Sequence, residues 1–151
     1  MSIHPYPHRY QASAAAASTG TVKVTSPTLP ELVTAPPPQF DGPEGVWSPE
    51  TLLCAAVADC FILTFRGVSR AAQLPWLGLE CQVEGTLERV ESQARFTHYA
   101  CKARLTVAKG TDVEKARALL ERAEHSCLIS NSLGGTRTLE TEVLVEPRDQ
   151  A

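Results

Sequence analysis

Residues 48–70, SPETLLCAAVADCFILTFRGVSR, form the one long segment whose apolar residues fall on every side of a helix. Between Leu52 and Phe65 only Asp59 and Thr64 interrupt the run. A surface helix shows one apolar stripe, so a helix apolar all round has to be enclosed by the rest of the fold. The spacing therefore predicts a central buried helix. Its start is well signalled, because Ser48 can accept from the free first-turn amides, Pro49 needs no N–H there, and Glu50 complements the helix dipole. Leu53, Ala56, Cys60, Leu63 and Gly67 recur at three and four, a stripe of mostly small residues that admits a close backbone, with Cys60 in its middle.

A chain of 151 residues is one domain, read here as spanning 1–151, and is short for enclosing such a helix alone. A second copy supplies the missing cover, so a homodimer is expected. A net charge of −3 without a Lys/Arg run argues against nucleic acid or anionic lipid as the main partner. No apolar run is read as reaching the roughly 18 residues of a membrane span, and the start MSIHPYPHRY lacks a signal-peptide core, which points to the cytoplasm. Five cysteines without a CxxC pair speak against structural zinc and against a stapled secreted fold. Cys54, Cys81 and Cys101 read as small core residues.

Taken in order, residues 10–17 and 21–25 flank Ser18-Thr19-Gly20 as a short hairpin. Residues 26–46 hold six prolines and read as an irregular connection, which delivers Gln39, Phe40 and Asp41 just ahead of the central helix. Leu77, Leu79, Cys81 and Val83 alternate with polar residues, as do Tyr99, Cys101, Ala103, Leu105 and Val107, giving two half-buried antiparallel strands parted by RVESQAR. Thr111 to Glu114 reads as a capping box for a second helix whose stripe is Val113, Ala116, Leu120, Ala123 and Cys127. A last strand covers 138–146, and the order strands, helix, strands, helix, strand is α+β.

Cys60 and Cys127 thus project from the small-residue stripes of two helices, an arrangement compatible with the approach that a disulfide requires, and equally with two core thiols. SPETLLCAAVADCF together with AEHSCLISNSL around Cys127 resembles the osmotically inducible protein C and organic hydroperoxide resistance superfamily (OsmC/Ohr). The likeness runs from the Phe40-Asp41-Gly42 loop to the final strand. It implies antiparallel sheets wrapped around a long buried helix plus a second helix, in an intertwined dimer with composite sites.

The resemblance also implies a cysteine peroxidase acting on organic hydroperoxides in oxidative-stress defence. Cys60 matches the peroxidatic thiolate, Cys127 the resolving thiol and Glu50 the carboxylate at the helix start; a dihydrolipoyl-type dithiol would be the reductant, and no metal, haem or flavin is needed. Ten residues of helix set Glu50 about 15 Å from Cys60, too far to act on it within one chain. One departure stands out. Where relatives place an Arg at the thiolate, this sequence has Gln39 in the loop before the helix, or Ser18 and Thr19 in the hairpin. An amide gives less stabilisation than a charge-assisted bond, so Arg9, Arg66 and Arg137 become the candidates to replace it. Loss of that Arg favours an alternative, an OsmC-like dimer with weak turnover that binds a small molecule or senses thiol redox state.

Overall fold

Ser48 opens the central helix as expected. In the computed structural model, which describes residues 3–147, the helix α1 runs Pro49–Ala71. The Ser48 hydroxyl accepts from the Thr51 N–H at 3.1 Å, and the Thr51 hydroxyl accepts in return from the Ser48 N–H at 2.9 Å. The far end closes by a device the sequence does not announce. Gln73 takes φ 57°, so that Leu74 N–H bonds Ser69 C=O at 2.9 Å and Gln73 N–H bonds Arg70 C=O at 3.1 Å. That paired pattern satisfies the last carbonyls of the helix.

The chain divides into two compact units, Met1–Leu52 and Leu53–Ala151. In the first, β1 (Ser13–Ala15) and β2 (Val22–Thr25) pair antiparallel, as the expected hairpin does. The connection after them is less irregular than its prolines suggest, because Leu32–Thr34 adds a third strand, β3, antiparallel to β2, and a 3-10 turn follows at Pro38–Phe40. Only three residues between Pro30 and Pro36 pair, which is why the strand leaves no alternation to read. Gly42 is required here: an added Cβ would meet the Pro36 carbonyl oxygen at 1.7 Å.

In the second unit β4 (Gly78–Val90) and β5 (Gln93–Val107) form a long antiparallel hairpin. Its strands continue well into the segment read as a polar turn, because the reversal needs only Glu91 and Ser92, both at positive φ. Two such residues in sequence match the tight hairpin turns that suit strand twist. The helix α2 (Val113–Ser126) then leads through α3 (Leu128–Asn131) to β6 (Thr136–Val145). The cap of α2 is Asp112, whose side chain accepts from Lys115 N–H, in place of the Thr111 box.

β6 lies beside β5 in parallel register, Cys101 against Leu139 and Leu105 against Val143, so this sheet is mixed and its last pairing is not antiparallel. The α2 crossover supplies the length a parallel return demands. Tyr99, Cys101, Ala103, Leu105 and Val107 of β5 are buried; from Cys101 onward they pack with Phe61 and Phe65 of α1 and with Ala116, Leu119, Leu120 and Ala123 of α2. Phe65 meets Trp76 edge-on at 5.4 Å between centroids, and the Trp76 indole donates to Ser69 Oγ at 2.8 Å.

The enclosure expected of α1 is only partly supplied by one chain. Its buried residues are Val57, Phe61, Phe65 and Ser69, whereas Leu63, on the stripe of small residues, is 54% exposed. The face chosen by the fold is the one carrying the large side chains. By length and composition α1 is apolar enough to cross a membrane, with a mean hydropathy of 1.7, which corrects the expectation that no stretch reaches that threshold. Core helices meet the same criterion, and Phe61 and Phe65 seat α1 in the core of the second unit.

Candidate functional site

Cys127 stands where α2 ends. Its extended backbone, φ −65° and ψ 108°, breaks the helix and starts α3, turning the thiol inward so that the residue is 1% exposed. The sequence stripe placed Cys127 on the core face, and the structure agrees; the short α3 behind it has no signal of its own. Cys60 is half-buried in the middle of α1, with Sγ 3.8 Å from the Thr64 hydroxyl. The Cys60 thiol lies within electrostatic reach of the Cys127 thiol. Burial pushes the Cys127 thiol up from its ordinary value, Ser130 counters through its hydroxyl and backbone, and the contact with Cys60 raises it again.

Beside Cys127 lies a narrow cavity walled by Val57, Phe61, Tyr99, Cys101 and Arg137. The cation in that wall is committed. Arg137 Nε sits 3.0 Å from Glu124 Oε1, and its guanidinium also donates to Asn131 Oδ1 at 3.0 Å. Both charged side chains are largely covered, at 24% and 18% exposure. Of the three arginines the sequence offered, Arg137 is therefore the one placed in the cavity wall with Cys127, whereas Arg9 and Arg66 are exposed.

Cys60 and Cys127 are the two expected site residues that the fold brings together. Gln39 and Glu50 belong to the Met1–Leu52 unit. There Gln39 is exposed on the 3-10 turn, and Glu50 occupies the first turn of α1, with its Oε1 out of solvent and unpartnered among the described residues.

A second thiol contact was not foreseen: Cys81 Sγ on β4 and Cys101 Sγ on β5 stand 3.1 Å apart. Their register, Cys81 opposite Ala103 and Cys101 opposite Val83, makes them diagonal neighbours on the core face. Only the strand pairing reveals it, since each residue alone is a small apolar member of an alternating strand. Among the described residues no three His, Cys, Asp or Glu side chains gather as a group able to hold a metal ion.

The family model for OsmC-like proteins matches residues 42–142. The uncharacterized protein YmaD of Bacillus subtilis (strain 168) is 30% identical over 115 residues, 73% of this chain and 75% of the relative. Among solved structures, an organic hydroperoxide resistance protein, OsmC, from Legionella pneumophila is 25% identical, with a TM-score of 0.72 over 93% of this chain and 100% of its own. An OsmC-like protein of unknown function from Vibrio cholerae shares the fold at 13% identity and a TM-score of 0.78, over 91% of this chain and 100% of its own. With the helix bearing Cys60 and the segment bearing Cys127 both inside the matched residues, the chain belongs to the OsmC-like protein family.

Proposed function

We propose that this protein is a thiol-dependent peroxidase that reduces organic hydroperoxides, working in the cytoplasm as a homodimer. The observation that carries the reading is the placement of Cys60, half-buried on α1, within electrostatic reach of the buried Cys127 thiol. Family membership and likeness to an organic hydroperoxide resistance protein support a redox or stress-related role.

In this reading the Cys60 thiolate attacks one oxygen of the O–O bond. The alcohol leaves with a proton and Cys60 becomes a sulfenic acid. The Cys127 sulfur then displaces hydroxide, which departs as water with the Cys127 proton, and a Cys60–Cys127 disulfide forms. A dithiol of dihydrolipoyl type returns both cysteines to thiols and is itself oxidised to a cyclic disulfide. The proton held on Cys127 by burial suits this order, since Cys127 stays a thiol until the sulfenic acid arrives. Glu50 and Gln39 enter the proposal from the family pattern, and Glu50→Gln and Gln39→Arg test whether they affect the rate.

A second reading, a binder or thiol redox sensor with little turnover, draws on one specific observation. Arg137, the cation in the cavity wall, is already engaged by Glu124 and Asn131. Non-reducing peptide mapping after one equivalent of cumene hydroperoxide tests the first step. The Cys60–Cys127 disulfide is the expected product, absent from Cys60→Ser; an unaltered thiol count at both positions would overturn the peroxidase reading.

A further inference from the structure

Cys81 and Cys101 have no part in the chemistry above, yet they are built as a pair. Their sulfurs are 3.1 Å apart on the core face of neighbouring strands, and a disulfide bond of about 2.05 Å requires them to close by only roughly 1 Å. Diagonal positions on antiparallel strands are spaced more widely than opposed ones, and here the two side chains lean together to cover the difference. The pair also abuts the first one: Cys101 and Cys127 share the wall of one cavity.

We infer that Cys81 and Cys101 are a second redox dithiol, which takes over the disulfide from Cys60 and Cys127 and so lets one chain accept two oxidising equivalents before any external reductant acts. The inference rests on the peroxidase reading for the origin of the first disulfide.

The exchange balances as follows. The Cys81 thiolate attacks Cys127 Sγ in the Cys60–Cys127 disulfide, and Cys60 leaves as a thiolate and takes up a proton. Cys101 then gives up its proton and attacks Cys81 in the mixed disulfide, so that Cys127 leaves and is protonated. Two electrons and two protons pass from the Cys81/Cys101 pair to the Cys60/Cys127 pair, with no other reactant.

The roles of the two sulfurs follow from their contact. The hydrogen bond between them lowers the Cys81 thiol and pushes the Cys101 thiol up. A dithiol with one thiol lowered and the other raised has the division of labour that stepwise exchange uses. Cys127 lies within electrostatic reach of Cys81, and its charge opposes ionisation of Cys81 until the Cys60–Cys127 disulfide removes that charge.

The test uses the full chain, fully reduced and freed of reductant, given cumene hydroperoxide in excess and alkylated at intervals for peptide mapping. The expected course is an early Cys60–Cys127 disulfide, its decay into Cys81–Cys101, and consumption of two equivalents of peroxide per chain. Cys81→Ser, a near-isosteric change outside the cavity wall, should stop at one equivalent with Cys60–Cys127 persisting. Wild-type protein that stops at one equivalent, with Cys81 and Cys101 still open to alkylation after unfolding, would overturn the inference while leaving the peroxidase reading intact. If no Cys60–Cys127 disulfide forms with peroxide, that reading fails, and a parallel arm with diamide as the thiol oxidant decides the exchange separately. There, Cys81–Cys101 appearing later than Cys60–Cys127, and more slowly in Cys60→Ser, supports it; equal rates in both proteins overturn it.

Discussion

Replacing Arg137 by Met tests the electrostatic frame of the cavity. The change keeps a flexible stem and removes the charge that faces Glu124 at 3.0 Å. Exposed ion pairs contribute about 0–1 kcal/mol, whereas breaking a buried pair from one side costs about 3–5 kcal/mol. With side chains at 24% and 18% exposure the pair lies between these limits, and we take about 2 kcal/mol for the stranded Glu124. Loss of the Asn131 bond adds about 1 kcal/mol. A total of about 3 kcal/mol lowers Tm by about 6–12 °C for a chain of this size.

The assay is urea unfolding at fixed protein concentration, for the wild type, Arg137→Met, Glu124→Gln and the double variant. The double variant should recover about 1–2 kcal/mol relative to the sum of the singles, because the uncompensated carboxylate is gone. An Arg137→Met protein within about 0.5 kcal/mol of wild type, or a cycle that is simply additive, would refute the reasoning.

Two further outcomes follow from the packing and the thiols. Phe65, wholly buried against Trp76, should cost about 3–5 kcal/mol as Phe65→Ala, seen as a fall in Tm of at least about 6 °C; a loss under about 1 kcal/mol would mean the α1 face has been misassigned. Because burial raises the Cys127 thiol, the folded chain keeps that proton above about pH 8.5 where the unfolded chain releases it, so stability falls as pH rises from there. The urea midpoint should therefore decline between pH 8 and 10, and Cys127→Ala should flatten that decline; an unchanged slope would contradict the assignment.

The sequence made the start of α1, the alternation of β4 and β5 and the inward placement of Cys127 legible, because each has a local cause: a Ser48 cap, a period of two, a stripe on one helix face. What it did not show depends on partners distant in sequence. A helix apolar all round has no preferred side, so the small-residue stripe was as eligible as Val57, Phe61 and Phe65 until the sheet selected the latter. The Cys81–Cys101 contact exists only once β4 and β5 are in register, and the parallel return of β6 cannot be told from a hairpin by alternation alone. Turns at Gln73, Glu91 and Ser92 use left-handed backbone without Gly or Asn to mark them. The arginines were visible, but only the fold shows that Arg137 lies beside Cys127 and is held by Glu124.

Steady-state reduction of cumene hydroperoxide with excess dihydrolipoamide, comparing wild type with Cys60→Ser and Cys127→Ser, tests the central claim most directly. The account predicts sustained turnover by the wild type, none by Cys60→Ser, and loss of sustained turnover in Cys127→Ser, where the sulfenic acid has no resolving partner. Turnover by Cys60→Ser at the wild-type rate, or none by the wild type above the uncatalysed background, would contradict it.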